Sequence, residues 1–414
     1  LPSVFAAPVD DSNIHRWHAM IIGPPATPYL LGMFHFDMVF PPDYPHNAPK
    51  VQITTTSGGQ VRFNPNLYAT GKVCLSILGT WRAEHSGEEW SAVQSVQSVL
   101  LSIQSLMNDA PYHNEPSFEQ DDGSGEPQRY NEKILHETIR VAVGEVMEET
   151  LELRNGSQNG VHPIFHHVRK THFRMNYERF QAEVARMGAK IKDETHFNIM
   201  PFENPSNGIS GAFRWDRLRV QLETVHKALE AEVASWRKQG AEQTTMQREK
   251  HGASIGGCVH YLQQQEEQIK HASPNGASIG PSSGNMCVWE ASLFGPPETL
   301  WEGGIYSVEL VFPPSFPEAP PFVRFVTPMF HPQISPSGVP YLRTLLMWHC
   351  SEQKERTMAH LLQQLQQLLA LDPSPEPATH LNQDAAKLLF SRSDDEKKEY
   401  RRQVKRRVER SMDM

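Results

Sequence analysis

Cysteine, long apolar runs and excess positive charge are all scarce in this sequence of 414 residues. The four cysteines show no CxxC pair and no Cys/His spacing of a zinc site, so we predict no metal and a reducing compartment, the cytoplasm or the nucleus. No apolar run approaches the length of about 18 residues that a membrane span needs, and we expect no secretory signal. With 39 basic against 48 acidic residues, the chain offers no cationic field for nucleic acid or an anionic membrane.

An internal repeat organises the chain. Gly, Pro and Trp positions recur with an offset of 272 residues, and a register held through so many of them implies two copies of one fold. The first copy then carries five extra residues around positions 54–60, after which the offset becomes 267. The paired positions are Trp17 with Trp289, Gly23-Pro24-Pro25 with Gly295-Pro296-Pro297, Gly32 with Gly304, Phe40-Pro41-Pro42 with Phe312-Pro313-Pro314, Pro65 with Pro332, and Gly71 with Gly338.

Periodicity predicts an α+β fold for each copy. Apolar residues alternate over 33–40 and 305–312, and each of these predicted strands stops at a Pro-Pro pair that cannot continue a ladder. Helical spacing follows over 93–107 and 358–371. Strands followed by helices indicate a hairpin-rich antiparallel sheet packed with helices.

One stretch carries the densest chemical signal. Residues 61–78 read VRFNPNLYATGKVCLSIL, and they closely resemble the active-site stretch of ubiquitin-conjugating enzymes, in which His-Pro-Asn precedes a catalytic cysteine by seven intervening residues. Gly23-Pro24-Pro25, residues 40–45 and Trp90-Ser91 extend the resemblance across the domain. Within that family the first copy is most similar to the Z-type branch, through residues 74–81, 111–116, 130–132 and 136–140.

The resemblance implies tandem domains of the ubiquitin-conjugating (UBC) fold. We expect a catalytic domain at 1–153, a mostly helical extension at 154–238, a polar linker at 239–256 and a second UBC-like domain at 257–414. The helix that usually leads this fold would precede Leu1. Because that helix contacts the activating enzyme in the family, we expect the chain to load poorly without it.

The resemblance also assigns the site residues of the first copy. Cys74 would carry the C-terminus of ubiquitin or a ubiquitin-like protein as a thioester, and Asn66 would donate a hydrogen bond to the oxyanion of transfer. Asn is also a good turn former, so Asn66 fits a structural role as well. Tyr68 and Glu115 match positions that shape the lysine channel, and simple packing is the alternative for Tyr68. Asn64 replaces the motif histidine, whose role is structural, so we expect the chemistry to survive.

Partners follow from the same resemblance. An activating enzyme would load Cys74, and a ubiquitin ligase would contact His46 together with Ala92 and Val93; no cofactor is expected. In the second copy Tyr341 stands at the cysteine position and Gln333 at the asparagine position, which predicts an inactive variant. The alternative function is a non-enzymatic ubiquitin-binding scaffold built from both copies.

Overall fold

The computed structural model describes residues 3–10, 12–82, 87–121, 123–153, 159–204, 208–249, 257–272 and 277–412. The chain divides into two compact units. The first is built from residues 2–169 and 180–225, and the second from residues 170–179 and 226–414. No helix in the described ranges is both long and apolar enough to cross a membrane.

The first unit contains a four-stranded antiparallel sheet in which neighbours in sequence are neighbours in space. Ala19 pairs with Phe36, and Phe36 pairs with Ile53, so the strands form a meander. The predicted strand at 33–40 is confirmed, and it ends before the Pro-Pro pair. The strands are β1 (Val4–Asp10), β2 (Asn13–Ile22), β3 (Met33–Val39) and β4 (Lys50–Ile53).

Helices follow the sheet, as the periodicity predicts. The first helix starts at a capping box in which the side chains of Ser95 and Ser98 satisfy each other's backbone amides, and it buries Val99, Leu100 and Ile103. A π-helical stretch, Thr138–Glu145, joins the next two helices into one continuous helical segment. The helices are α1 (Val96–Ser105), α2 (Glu126–Glu137), α3 (Val146–Thr150), α4 (His166–Lys190) and α5 (Trp215–Glu249), with short 3-10 turns at Ser76–Leu78, Pro111–Asn114 and Pro163–Phe165.

The second unit repeats the meander with the same register. Ala291 pairs with Val308, and Val308 with Phe325, each 272 positions after its counterpart in the first sheet. The prediction of two copies of one α+β fold is therefore confirmed. The elements are α6 (Cys258–Ala272), β5 (Ala277–Ser282), β6 (Asn285–Phe294), β7 (Ile305–Val311), β8 (Phe322–Phe325), α7 (Arg343–Leu346), α8 (Met358–Ala370), α9 (Gln383–Leu389) and α10 (Asp394–Ser411), with 3-10 turns at Trp348–Cys350, Gln353–Glu355 and Pro377–Thr379.

The end of α5 differs from the sequence prediction. Residues 239–249, for which we predict a linker, continue the helix, and residues 250–256 lie outside the described part of the chain. A Cβ atom at Gly240 would lie 2.4 Å from the Cβ of Cys287, so the helix approaches β6 closely at a residue with no side chain. Packing against the second sheet stabilises this polar sequence as helix. The other domain boundaries stay predictions.

Candidate active site

The segment from Asn64 to Cys74 forms a tight turn against the edge of the first sheet. The amide of Tyr68 donates to the Lys72 carbonyl (3.0 Å), and Ile53 donates to the carbonyl of Gly71 (2.9 Å). Gly71 has a φ of 93°, and an added Cβ would lie 3.0 Å from the Ile53 carbonyl oxygen. A residue without a side chain is therefore needed for the chain to reverse here and to return Cys74 beside Asn66.

Two hydrogen bonds join Cys74 to Asn66. The backbone amide of Cys74 donates to the Asn66 carbonyl (2.9 Å), and the Asn66 side-chain amide donates to the Cys74 carbonyl (3.0 Å). The side-chain bond holds the carboxamide of Asn66 next to the residue that carries the thiol. An amide N–H in this place is a donor of the type that stabilises the oxyanion of a tetrahedral intermediate whose carbon is bonded to the sulfur.

The environment of Cys74 does not favour a permanent thiolate. Its side chain is buried, and burial raises the pKa of the thiol above its ordinary value. The charges of Lys72 and Arg62 and a hydrogen bond from Tyr68 act in the opposite direction on that pKa. A thiol with a raised pKa suits exchange with an acyl group that arrives already activated as a thioester.

Asn64 performs a structural role at the start of the turn. Its side-chain oxygen accepts from the backbone amide of Asn66 (2.9 Å), and its side-chain nitrogen donates to the Tyr29 hydroxyl (2.7 Å) and the Leu106 carbonyl (2.9 Å). In the second copy the ring of His331 accepts from the Gln333 amide (3.0 Å) at the equivalent position. Asparagine and histidine thus satisfy the same backbone amide.

Arg62 is a site residue that sequence reasoning missed. Its guanidinium is buried, donates to the carbonyls of Asn64 (3.3 Å) and Pro65 (2.7 Å), and forms an ion pair with Glu115 (3.2 Å). The guanidinium carbon also lies 4.4 Å from the centroid of the Tyr68 ring. One buried cation therefore connects the turn, Tyr68 and Glu115. An arginine between the apolar residues Val61 and Phe63, directly before the motif, was the available signal.

Glu115 lies at the end of the 3-10 turn Pro111–Asn114, beside this cation. Its side chain is 24% exposed, so it is accessible to a molecule at the surface. Burial raises the pKa of Glu115, and the Arg62 guanidinium opposes that rise. The structure thus brings together Cys74 with Asn66, and Arg62 with Tyr68 and Glu115.

The segment between α4 and α5 reaches the same cluster. Phe202 contacts the rings of Tyr112 (centroids 5.2 Å apart) and Phe118 (5.5 Å) and lies 5.8 Å from the Arg62 guanidinium carbon. A buried ion pair between Lys133 and Glu203 (2.6 Å) holds this segment against α2. The extension is therefore part of the wall behind the candidate site.

The equivalent turn of the second copy keeps the backbone pattern and loses the chemical groups. The amide of Tyr341 donates to the Gln333 carbonyl (2.7 Å), as Cys74 does to Asn66. The side chain of Gln333 does not bond the residue at the cysteine position but accepts from the Ser374 amide (3.1 Å). Burial raises the pKa of the partly buried Tyr341 phenol above its ordinary value. The second copy therefore has no thiol at position 341 and no side-chain amide bonded to that residue.

The family model described as ubiquitin-conjugating enzyme matches residues 2–147 and again residues 261–408. The chain belongs to the ubiquitin-conjugating enzyme family. It is 42% identical over 226 residues to ubiquitin-conjugating enzyme E2 Z of Xenopus tropicalis, which covers 55% of this chain and 66% of the relative. It is 54% identical over 147 residues to the Homo sapiens E2 Z, covering 36% of this chain and 40% of the relative.

A third relative is the Homo sapiens protein named dual E2 ubiquitin-conjugating enzyme/E3 ubiquitin-protein ligase BIRC6. It is 38% identical over 189 residues, which is 44% of this chain and 4% of that protein. The chain thus spans 40% to 66% of the two E2 Z relatives and a small part of BIRC6. These matches confirm the resemblance to the ubiquitin-conjugating family and to its Z-type members.

The predicted ligase-contact residues of this ubiquitin-conjugating fold lie on two loops that are linked to each other. His46 and Ala92 are exposed, and Val93 is 91% exposed. The indole of Trp90 donates to the Pro45 carbonyl (2.8 Å) and so joins the two loops. An exposed valine on a fixed loop is available for contact with another protein.

No cluster of His, Cys, Asp and Glu side chains that could hold a metal ion occurs among the residues whose placement the structure gives. The candidate site consists of a thiol, amides, a phenol, a guanidinium and a carboxylate.

Proposed function

We propose that this chain carries ubiquitin or a ubiquitin-like protein as a thioester on Cys74 and passes it to a lysine or to a ligase cysteine. In loading, the Cys74 sulfur attacks the thioester carbonyl on the activating enzyme, a new C–S bond forms, and the activating enzyme's sulfur leaves as a thiol with the proton that Cys74 gives up. The observation that carries the proposal is the pair of hydrogen bonds that joins Asn66 to Cys74.

Transfer to an amine passes through a tetrahedral oxyanion at the former carbonyl. The Asn66 side-chain amide is held beside Cys74, and a small rotation exchanges the Cys74 carbonyl (3.0 Å) for the oxyanion as its acceptor. One donor of this kind contributes about 2.7–4 kcal/mol to the transition state. The amine attacks, the C–S bond breaks, and Cys74 regains its proton as the amide forms.

Glu115 and Tyr68 act on the acceptor amine. A lysine has an ordinary pKa of about 10.4 and must lose a proton to attack. A carboxylate and a ring at the mouth of the site orient the ammonium group and help to remove it from water. Arg62 sets the positions of both groups through its ion pair with Glu115 (3.2 Å) and its contact with the Tyr68 ring (4.4 Å).

The loops that carry His46, Ala92 and Val93 supply the surface for a ubiquitin ligase in this proposal. The activating enzyme consumes ATP to form the thioester from which Cys74 is loaded. Loading and transfer both need a reduced thiol, so the proposal includes a reducing compartment, the cytoplasm or the nucleus.

The second copy favours a different role. The side-chain oxygen of Gln333 accepts a hydrogen bond from the Ser374 amide (3.1 Å), and Tyr341 has no thiol. We therefore propose that the second domain is catalytically inactive. The scaffold hypothesis applies to this domain, where the same fold would bind a protein partner without chemistry.

A charging assay tests the proposal. The protein is incubated with activating enzyme, ATP and a panel of ubiquitin-like modifiers, and adducts are followed with and without reductant. Wild-type protein should form an adduct lost on reduction, Cys74→Ser a reductant-resistant ester, and Cys74→Ala none. Cys350→Ser is the matched control, because Cys350 is an exposed thiol of the same chain and should not matter. Charging that persists in Cys74→Ala would refute the proposal.

A further inference from the structure

A groove of about 990 Å³ lies in the first unit between the edge strand β4 and the turn that follows Cys74. Among the residues that the structure describes, three cationic side chains line it, those of Lys50, Lys72 and Arg82, against one carboxylate, Glu89. The whole chain has a net charge of −9, so this groove has the opposite sign to the protein around it. Within the described ranges neither Lys50 nor Arg82 forms an ion pair, so their charges are available to a ligand.

The geometry of the edge strand brings two of these cations together. Gln52 of β4 pairs with Lys72 in an isolated antiparallel bridge. Lys50 and Gln52 are the exposed residues of β4, and they point to the same side of the strand about 7 Å apart. Lys50 and Lys72 therefore face one groove.

The groove opens beside the nucleophile. Lys72 is two residues before Cys74, and Val73 and Ser76 on either side of the cysteine also line the groove. Residues that flank an acceptor lysine can reach this wall when the lysine amine approaches a thioester on Cys74. The groove is therefore placed to select among acceptors by the residues around the lysine.

We propose that this groove binds an acidic segment of the acceptor protein next to the modified lysine. The inference rests on the proposed function of Cys74 and adds a substrate class to it. Asp or Glu side chains would pair with Lys50 and Arg82 at the outer wall and with Lys72 nearest the thioester. Trp81 and Trp90 also line the groove and provide apolar surface for the rest of the segment.

Peptide binding tests the inference without any need for loading. The probes are a fluorescent lysine peptide flanked by glutamates and analogues with glutamine or arginine in those places, and anisotropy is measured with the uncharged full chain. At low salt the peptide with two flanking glutamates should bind about 25-fold more tightly than the glutamine peptide, since each of the two ion pairs at about 4 Å in water corresponds to about five-fold. At about 1 M salt, where the Debye length is about 3 Å, the difference should disappear.

Charge reversal locates the binding. In Lys50→Glu/Arg82→Glu the preference should invert in favour of the arginine peptide. Arg217→Glu and Arg219→Glu together make the same change of charge at two exposed residues of α5 that do not line the groove, and this control should keep the wild-type preference. Equal binding of the three peptides, or a preference unaffected by the groove variant, would overturn the inference. A single-stranded oligonucleotide that binds in place of the peptide, and is lost in the groove variant, would assign the groove to nucleic acid instead.

Single-turnover discharge links the binding to the reaction. Loaded wild-type protein should transfer to the glutamate peptide about 25-fold faster than to the glutamine peptide at concentrations below saturation, in proportion to the two ion pairs. If the protein does not load at all while the peptide preference is present, the proposed function fails and the acidic-segment groove stands. If it loads and discharges to all peptides equally, the substrate class is wrong and the function of Cys74 stands.

Discussion

The ion pair between Lys133 and Glu203 links the fold to the candidate site, and removing one partner should be costly. The two side chains are 1% and 2% exposed, and Nζ of Lys133 lies 2.6 Å from Oε2 of Glu203. Lys133 also donates to the Asn198 carbonyl (3.1 Å), and Glu203 accepts from the Met200 amide (2.9 Å). The pair thus attaches residues 198–203 to α2.

The size of the effect follows from burial. Lys133→Met leaves the Glu203 carboxylate buried without its cation, and breaking a buried pair in this way costs about 3–5 kcal/mol. Burial lowers the pKa of Lys133 despite the attraction of Glu203, so the desolvation of the ammonium outweighs the ion pair. Removing both charges in Lys133→Met/Glu203→Gln should therefore cost less, about 1–2 kcal/mol, because the glutamine oxygen still accepts from Met200.

Hydrogen exchange measures this locally. The amides of Met200 and Glu203 both donate within the segment, to Glu203 Oε2 and to the Met200 carbonyl (each 2.9 Å). In Lys133→Met they should exchange at least about 100-fold faster, following about 1.36 kcal/mol per factor of ten. The matched control is Lys190→Met, whose ion pair with Glu132 (2.8 Å) involves a lysine 48% exposed and should contribute less than about 1 kcal/mol.

The same variant has a functional consequence. Release of residues 198–203 removes Phe202 from its position 5.8 Å from the Arg62 guanidinium and from the ring of Tyr112. Discharge from Cys74 to lysine should then fall several-fold while loading continues, because the turn that carries Cys74 keeps its own hydrogen bonds. A Lys133→Met protein with unchanged exchange at Met200 and Glu203 would refute the reasoning.

Three further predictions concern single side chains. Asn66→Ala should load normally and discharge to free lysine about 100–1000-fold more slowly in single-turnover assays, and equal loss of both steps would leave Asn66 a purely structural role. Burial acts against ionisation of Glu137, yet His136 and Arg140 lower its pKa to about 2. The ionised carboxylate should therefore contribute about 3 kcal/mol to the free energy of unfolding above pH 4.5, and this contribution should be lost as the pH falls towards 2. Urea unfolding at a series of pH values measures the loss, which Glu137→Gln should not show. Tyr341→Cys should add no second thioester per chain, and a stoichiometry near two by mass spectrometry would contradict an inactive second copy.

The arrangement of the two sheets could be predicted because its determinants are local. Pro-Pro pairs end β3 and β7, and the constant offset of 272 residues reappears in the strand register, where Ala19 with Phe36 corresponds to Ala291 with Val308. The position of Asn66 beside Cys74 was also predictable, from the resemblance to the ubiquitin-conjugating motif. In the structure Gly71, with a φ of 93°, turns the chain back between the two residues.

Features that depend on distant contacts could not be predicted. The helical state of residues 239–249 comes from the approach of Gly240 to Cys287, which composition does not reveal. The π-helical stretch Thr138–Glu145 reads in sequence as ordinary helix. The role of Arg62 depends on Glu115, 53 residues later, so only the folded chain shows that this arginine is paired.

Comparison of the two copies separates what the fold needs from what the chemistry needs. The backbone bond from residue 74 to residue 66 recurs between Tyr341 and Gln333, at 2.9 Å and 2.7 Å, so the turn persists without a thiol. Its anchors are a side-chain acceptor at Asn64 or His331 and a glycine with positive φ, and both copies have them. A match to the sequence motif therefore indicates that the turn is present, whether or not the residue at the cysteine position is a thiol. In the proposed mechanism, activity depends on the presence of sulfur and on the direction of one side-chain amide, which bonds Cys74 in the first copy and Ser374 in the second. Restoring the sulfur alone, in Tyr341→Cys, should for that reason leave the second turn without an oxyanion donor. The side chain of Gln333 is one methylene longer than that of asparagine, and its carboxamide bonds Ser374 and not the residue at position 341.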